Sequence, residues 1–406
     1  MLYSCSPKNA EMNAHESRAI PEFTYATAET EAKEDNSNEP QKYPDTTEGL
    51  CDAIFASDEA EIERLIAQGV ELNRTKRDDD LPISTAIPLS AAIQVENIHV
   101  VEMLLASGAD VNVYWQGEKF SNVLLSALYR NHNISLEMFF ALIAAGIDVH
   151  EQESGGFTTL MGAAKIGNPE MVQFLLAEGV DVNARSDQKG TALHYAVGRL
   201  RDSKISGSSY YGDPEKNLEI VRLLLEAGAD PNATMADGYL FYNGTQAWRI
   251  KGQLTPLMIS IGYIPELLIA YGADVNAQNE YGLTALMINS HFGMTEAMQT
   301  LIKHGATIDA QDSNGQTALF YSIYSRNMEA TKLLLDSGAS VTIKNNLGLT
   351  PLAWFYAVFK DYANKDAIFT MLESFGASLD SSDESKIAEM QEIPEGYMFI
   401  FIVGDR

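Results

Sequence analysis

One phrase returns nine times along this 406-residue chain: an apolar helical stripe, a small residue, a glycine and a short polar turn. Clear copies read Leu-Leu-Ala-Ser-Gly-Ala-Asp-Val-Asn at 104–112, Leu-Leu-Ala-Glu-Gly-Val-Asp-Val-Asn at 175–183 and Leu-Ile-Ala-Tyr-Gly-Ala-Asp-Val-Asn at 268–276. The marker glycines are Gly69, Gly108, Gly146, Gly179, Gly228, Gly272, Gly305, Gly338 and Gly376, separated by 39, 38, 33, 49, 44, 33, 33 and 38 residues. A floor of 33, exceeded only by insertions, predicts stacked repeats in place of one closed core. A glycine straight after each apolar stripe predicts a helix end, because glycine enters the left-handed region at little cost.

A second phrase precedes the first. It reads Thr-Ala-Leu-His-Tyr-Ala at 191–196, Thr-Pro-Leu-Met at 255–258, Thr-Ala-Leu-Met at 284–287, Thr-Ala-Leu-Phe at 317–320 and Thr-Pro-Leu-Ala at 350–353. Threonine can cap the first turn of a helix, proline is tolerated where the missing N–H has no partner in any case, and leucine then points to the interior. The phrase resembles the ankyrin signature Thr-Pro-Leu-His-x-Ala, and the resemblance runs over roughly residues 48–379. Residues 87–90 and 122–125 depart from it, and the first repeat has no recognisable turn. The resemblance implies an all-α repeat solenoid of about nine helix-turn-helix units with projecting β-hairpin turns. It implies contact surfaces on the turn tips and along the concave side of the first helices. Within this scheme the ring of His194, at the signature's histidine position, bonds the neighbouring turn.

The domain reading is a disordered acidic tail or tether over 1–47, an ankyrin repeat domain over 48–379, and an acidic linker with an apolar strap over 380–406. The strap is Tyr-Met-Phe-Ile-Phe-Ile-Val at 397–403, expected to cover the last repeat, with a partner-binding strand as the alternative. Two insertions interrupt the repeats. The Ser/Gly-rich one at 199–217 reads as a mobile loop. The other extends a turn: Thr255 follows Asn232 by 23 positions, whereas Thr284 follows Asn276 by 8. Within it, 239–242 and 245–251 read as strands around Asn243-Gly244, a strong hairpin signal. Thr255 to Gly272 is also four residues shorter than Thr284 to Gly305, predicting compact or irregular helices in the sixth repeat.

The extended hairpin carries the candidate protein-binding residues Tyr239, Phe241, Tyr242, Trp248 and Arg249, residue types enriched at interfaces. Tyr114 and Trp115, on the turn at 113–120, are a second candidate group. The hairpin reads equally as an exposed finger or as a lid packed on the shortened repeat. Net charge is −28, of which residues 1–49 contribute −6 and 380–406 contribute −5, so the repeats themselves are acidic. That balance argues against nucleic acid and suits a protein partner with a basic face, although acidity also serves solubility.

The sequence offers no catalytic, cofactor or metal constellation. Its seven histidines, at 15, 99, 132, 150, 194, 291 and 304, lack ligand spacing, and the acidic runs at 78–80 and 380–385 lack a calcium-loop pattern. The two cysteines build no disulfide framework. Leu2-Tyr3-Ser4-Cys5 resembles the end of a bacterial lipoprotein signal, followed by a tether-like polar stretch, without the apolar segment that precedes such a cysteine. A lipid tether at Cys5 would place the protein in the periplasm; an ordinary tail leaves a cytoplasmic location open. The function expected is a non-catalytic protein-binding scaffold, in its sharper form an inhibitor or immunity-type protein that neutralises a bacterial enzyme or toxin. The alternatives are a general adaptor or regulator, or an enzyme with an unrecognised site.

Overall fold

The structure, a computed structural model, describes residues 42–73, 87–112, 123–129, 134–153, 155–198, 213–236, 239–242, 247–250, 252–359, 365–389 and 401–403. The first repeats pair α1 (Thr47–Phe55) with α2 (Glu59–Ala67), α3 (Pro88–Gln94) with α4 (Ile98–Ala106), and α5 (Val123–Tyr129) with α6 (Leu136–Ala144). Next come α7 (Thr159–Ile166) with α8 (Pro169–Ala177), and α9, a helix including 192–198, with α10 (Pro214–Glu226). The remaining pairs are α11 (Pro256–Ile259) with α12 (Ile264–Ala270), α13 (Ala285–Phe292) with α14 (Thr295–Lys303), α15 (Ala318–Tyr324) with α16 (Met328–Asp336), and α17 (Pro351–Val358) with α18 (Lys365–Ser374).

First helices pack on first helices and second helices on second, so α13 lies between α11 and α15 while α14 lies between α12 and α16. This two-layer stack is the expected all-α solenoid, and it buries the leucine of the second phrase wherever that phrase is clear. Leu193, Leu257, Leu286, Leu319 and Leu352 are all fully buried. Thr158, Thr284 and Thr350 cap their helices, each accepting at 3.2 Å from the amide three residues on. The hydroxyls of Thr255 and Thr317 make no cap bond; there the threonine keeps only the extended backbone that starts the helix.

All nine marker glycines have positive φ, between 77° and 93°. A Cβ at any of them would meet nothing within 4 Å. The constraint is therefore conformational and not steric. Gly156 and Gly282 are a different case, since a Cβ there would lie 2.7 Å from Arg185 O and 2.9 Å from Asp312 Cα. Those glycines let successive turns touch.

Two expectations at the C-terminal end are corrected. The acidic stretch read as linker forms α19 (Ser381–Glu389), which packs on α17 as a tenth first helix and closes the stack. Asp380 and Asp383 exchange amide-to-carboxylate bonds of 2.7 and 3.3 Å at its start. Lys386 Nζ donates to Gly348 O at 2.9 Å, and Lys344 stands 3.4 Å from the buried Asp383. A polar helix suits this place because a terminal repeat needs one face for the stack and one for water. The apolar strap, in turn, does not cover the last repeat where it is described. Its strand β3 (Phe401–Val403) pairs instead with the extended hairpin.

Candidate protein-binding site

The projecting turns are joined by the tail of the first phrase. In Asp-x-Asn, the aspartate turns the chain: Asn276 N–H donates to Asp274 Oδ1 at 2.9 Å. The asparagine then clamps the next repeat, donating from Nδ2 to Gly305 O at 3.2 Å and accepting from Thr307 N at 2.7 Å. Asn73, Asn112, Asn183 and Asn232 make the same pair of bonds to their following repeats. At the next joint Asp309 only accepts, from Ser340 N at 3.0 Å, because a carboxylate has no proton to give the glycine carbonyl. His150 and Thr342 hold the clamp position without these bonds.

The extended turn grows from one of these clamped bases. After Asn232 the chain bridges Met235 to Leu254, and the same antiparallel register continues through β1 (Tyr239–Tyr242) and β2 (Ala247–Ile250). The last paired residues are Tyr242 and Ala247, so four residues join the strands where the Asn-Gly signal suggested two. β3 adds on the other side of β2, with Trp248 opposite Val403 and Ile250 opposite Phe401, in the order β1-β2-β3.

The root of this finger is core. Ala233, Met235, Ile250 and Leu254 are buried. His194 holds it from repeat five: Nδ1 accepts from Thr191 N at 3.2 Å and lies 2.9 Å from Thr191 Oγ1, leaving Nε2 to donate to Leu254 O at 3.1 Å. Burial pushes the His194 pKa down to about 4, keeping the ring neutral as this bonding requires. Ala236 N donates to Gln188 O at 2.6 Å, and Gly252, at φ +94°, sits where a Cβ would be 2.6 Å from Asn279 Nδ2. Turns from repeats five and seven thus grip the base from both sides.

Of the predicted residues, Tyr239, Phe241 and Tyr242 lie on β1, and Trp248 and Arg249 on β2. The register puts positions 239, 241 and 248 on the face of position 250, and positions 242 and 249 on the other. Tyr114 and Trp115 lie outside the described residues, as does Cys5. Residue reasoning missed the clamp asparagines, although they stand in the quoted phrase, because no role was assigned to the turn beyond Asp. It also missed β3, whose partner lies about 150 positions away. Among the described residues, no three His, Cys, Asp or Glu side chains gather as a metal site, and no helix is long and apolar enough to cross a membrane.

Comparison with known proteins decides the family. A family model described as ankyrin repeats matches residues 124–235, 257–345 and 296–383, and a single ankyrin repeat model matches 86–114. The chain belongs to the ankyrin-repeat family. Curated ankyrin relatives include a putative ankyrin repeat-containing protein of Treponema pallidum, 30% identical over 142 residues, 35% of this chain and 41% of that protein. A putative ankyrin repeat protein of fowlpox virus is 31% identical over 180 residues, 41% of this chain and 43% of its own. The nuclear factor NF-kappa-B p105 subunit of Gallus gallus is 28% identical over 198 residues, 47% of this chain and 17% of its own. The chain thus spans less than half the length of each of these relatives. An ankyrin stack is a protein-binding scaffold, and the buried leucines and clamped turns here build that scaffold.

Proposed function

We propose that this ankyrin stack binds a protein partner with a basic face through the finger at 239–251, and that occupying the partner is its function, as an inhibitor or immunity-type protein does. The observation that carries the reading is the finger itself. One turn has been lengthened by about fifteen residues, rooted in the core by His194 and Leu254, and built into a three-stranded sheet bearing Tyr, Phe, Trp and Arg. A long turn rooted in the core and carrying interface-type residues is more than stacking needs. The acidity of the repeats would steer a basic partner toward it. Tyr114 and Trp115 form the second contact in this reading, and a lipid tether at Cys5, given a basic and apolar lead upstream, is tested by palmitate labelling of the product of the extended gene beside a Cys5→Ser control.

Affinity capture with the full chain, followed by mass spectrometry, identifies the partner. Trp248→Ala should then weaken its binding at least tenfold, about 1.4 kcal/mol or more, with little change in melting temperature. If Trp248→Ala instead lowers the melting temperature sharply and leaves affinity unchanged, the finger is a lid on repeat six and the binding surface lies elsewhere.

A further inference from the structure

A cavity of about 310 Å³ opens between the turns of repeats four and five, lined by Glu153, Phe157, Ser186, Asp187 and Tyr195 among others. Its walls come from three elements that the backbone ties together. Glu153 N donates to Phe157 O at 2.9 Å, closing the turn before α7, and Asp187 N donates to Gly155 O at 2.7 Å, joining that turn to the next. Tyr195 rises from α9. Phe157 and Tyr195 meet edge to face, their centroids 5.3 Å apart. The cavity stands one turn away from the root of the finger, since Gln188, also in its lining, bonds Ala236.

The chemistry of these walls selects a cation with a flat apolar flank. Phe157 is buried beneath Tyr195, and the half-buried Tyr195 ring supplies the surface over which a guanidinium can stack. Two carboxylates, Glu153 and the exposed Asp187, stand in the same lining. The chain itself already sets a cation over Phe157, with Lys165 Nζ 6.0 Å from its ring centroid, so the surface for a partner's side chain is that of Tyr195. The volume is at the lower limit for small-molecule pockets and has room for one long side chain.

We propose that this cavity is the subsite for an arginine side chain of the protein partner, with the guanidinium against Tyr195 and its charge met by Asp187 and Glu153. The inference rests on the protein-binding reading above and names the partner chemistry at one point of its surface. It is tested without the partner. Saturation-transfer NMR on the full chain uses N-acetyl-arginine amide as the probe and N-acetyl-citrulline amide as its uncharged isostere. Arginine amide should bind with a dissociation constant on the order of millimolar, at least fivefold more tightly than the citrulline form. Asp187→Asn should weaken it several-fold, and Glu153→Gln with Asp187→Asn should abolish it while leaving the circular dichroism spectrum unchanged. Equal binding of the two probes, no binding of arginine amide, or binding indifferent to both carboxylates overturns the proposal. None of those results touches the capture experiment, which would still report a partner held by the finger alone.

Discussion

Repeats seven and eight and repeats five and six are built from the same phrases and put their residues in different places. In the former, marker glycines stand 33 apart, the helices run seven to nine residues, and the turn between Asn276 and Thr284 is short. In the latter, α11 is a single turn of four residues, Tyr263 after it is 84% exposed, and the preceding turn has become a hairpin. The short helix and the long finger are neighbours in sequence, yet the inter-repeat bonds survive: Asn232 still clamps Gly272 and Asp274 across the irregular joint. A solenoid of nearest-neighbour contacts can spend residues on a turn without disturbing the stack, provided the joint is kept.

The regular half is the place to break the scaffold outright. Leu286→Asp or Leu319→Asp places an unpaired charge at a fully buried position between α13 and α15. A loss of about 4 kcal/mol or more is expected, read as collapse of the helical circular dichroism signal in mild denaturant. The irregular half answers to pH. His194 is neutral in the folded chain, with its pKa near 4, and titrates near 6.5 when unfolded. Between those values the unfolded chain binds a proton that the folded chain refuses, so stability falls as pH drops from 6.5 to 4. The full effect is about 3 kcal/mol. Denaturant midpoints measured across that range should show the slope in the wild type and lose most of it in His194→Gln.

The joints give smaller effects of opposite sign. Asn276→Ala removes two solvent-exposed bonds and should cost about 1 kcal/mol. Asp309→Asn restores the donor that Gly338 O lacks and should gain roughly half as much. Chemical denaturation of the two variants beside the wild type decides whether the clamp stabilises as its geometry implies. If both are neutral, the turns are held by helix packing alone.

Most of the stack was legible because its determinants are local and repeated. Each marker glycine follows an apolar stripe and takes positive φ, and each phrase leucine is buried. The finger was legible from its length and its β-prone flanks, and its register moved only by the size of the connection. What escaped was either weak in hydrophobicity or distant in sequence. Helix α19 buries little apolar surface, so Ser-Ser-Asp-Glu-Ser read as solvated, although Asp380 and Asp383 at cap spacing were a usable sign of a helix start. β3 was legible as a strand and illegible as a partner, because strand pairing over that separation leaves no local periodicity. His194's bond to a neighbouring turn came from the family resemblance; that the turn is the root of the finger came from the structure.

The uneven clamp has a mechanical consequence. A force applied to the two ends of a solenoid loads its joints in series, and each joint must bear the whole tension. Five joints carry the paired asparagine bonds, the one at Asp309 carries half of them, and those at His150 and Thr342 carry neither. Pulled from its termini, the stack would part first after repeats three and eight, releasing repeat nine with the closing helix α19 while repeats four to eight, with the finger among them, held as one block.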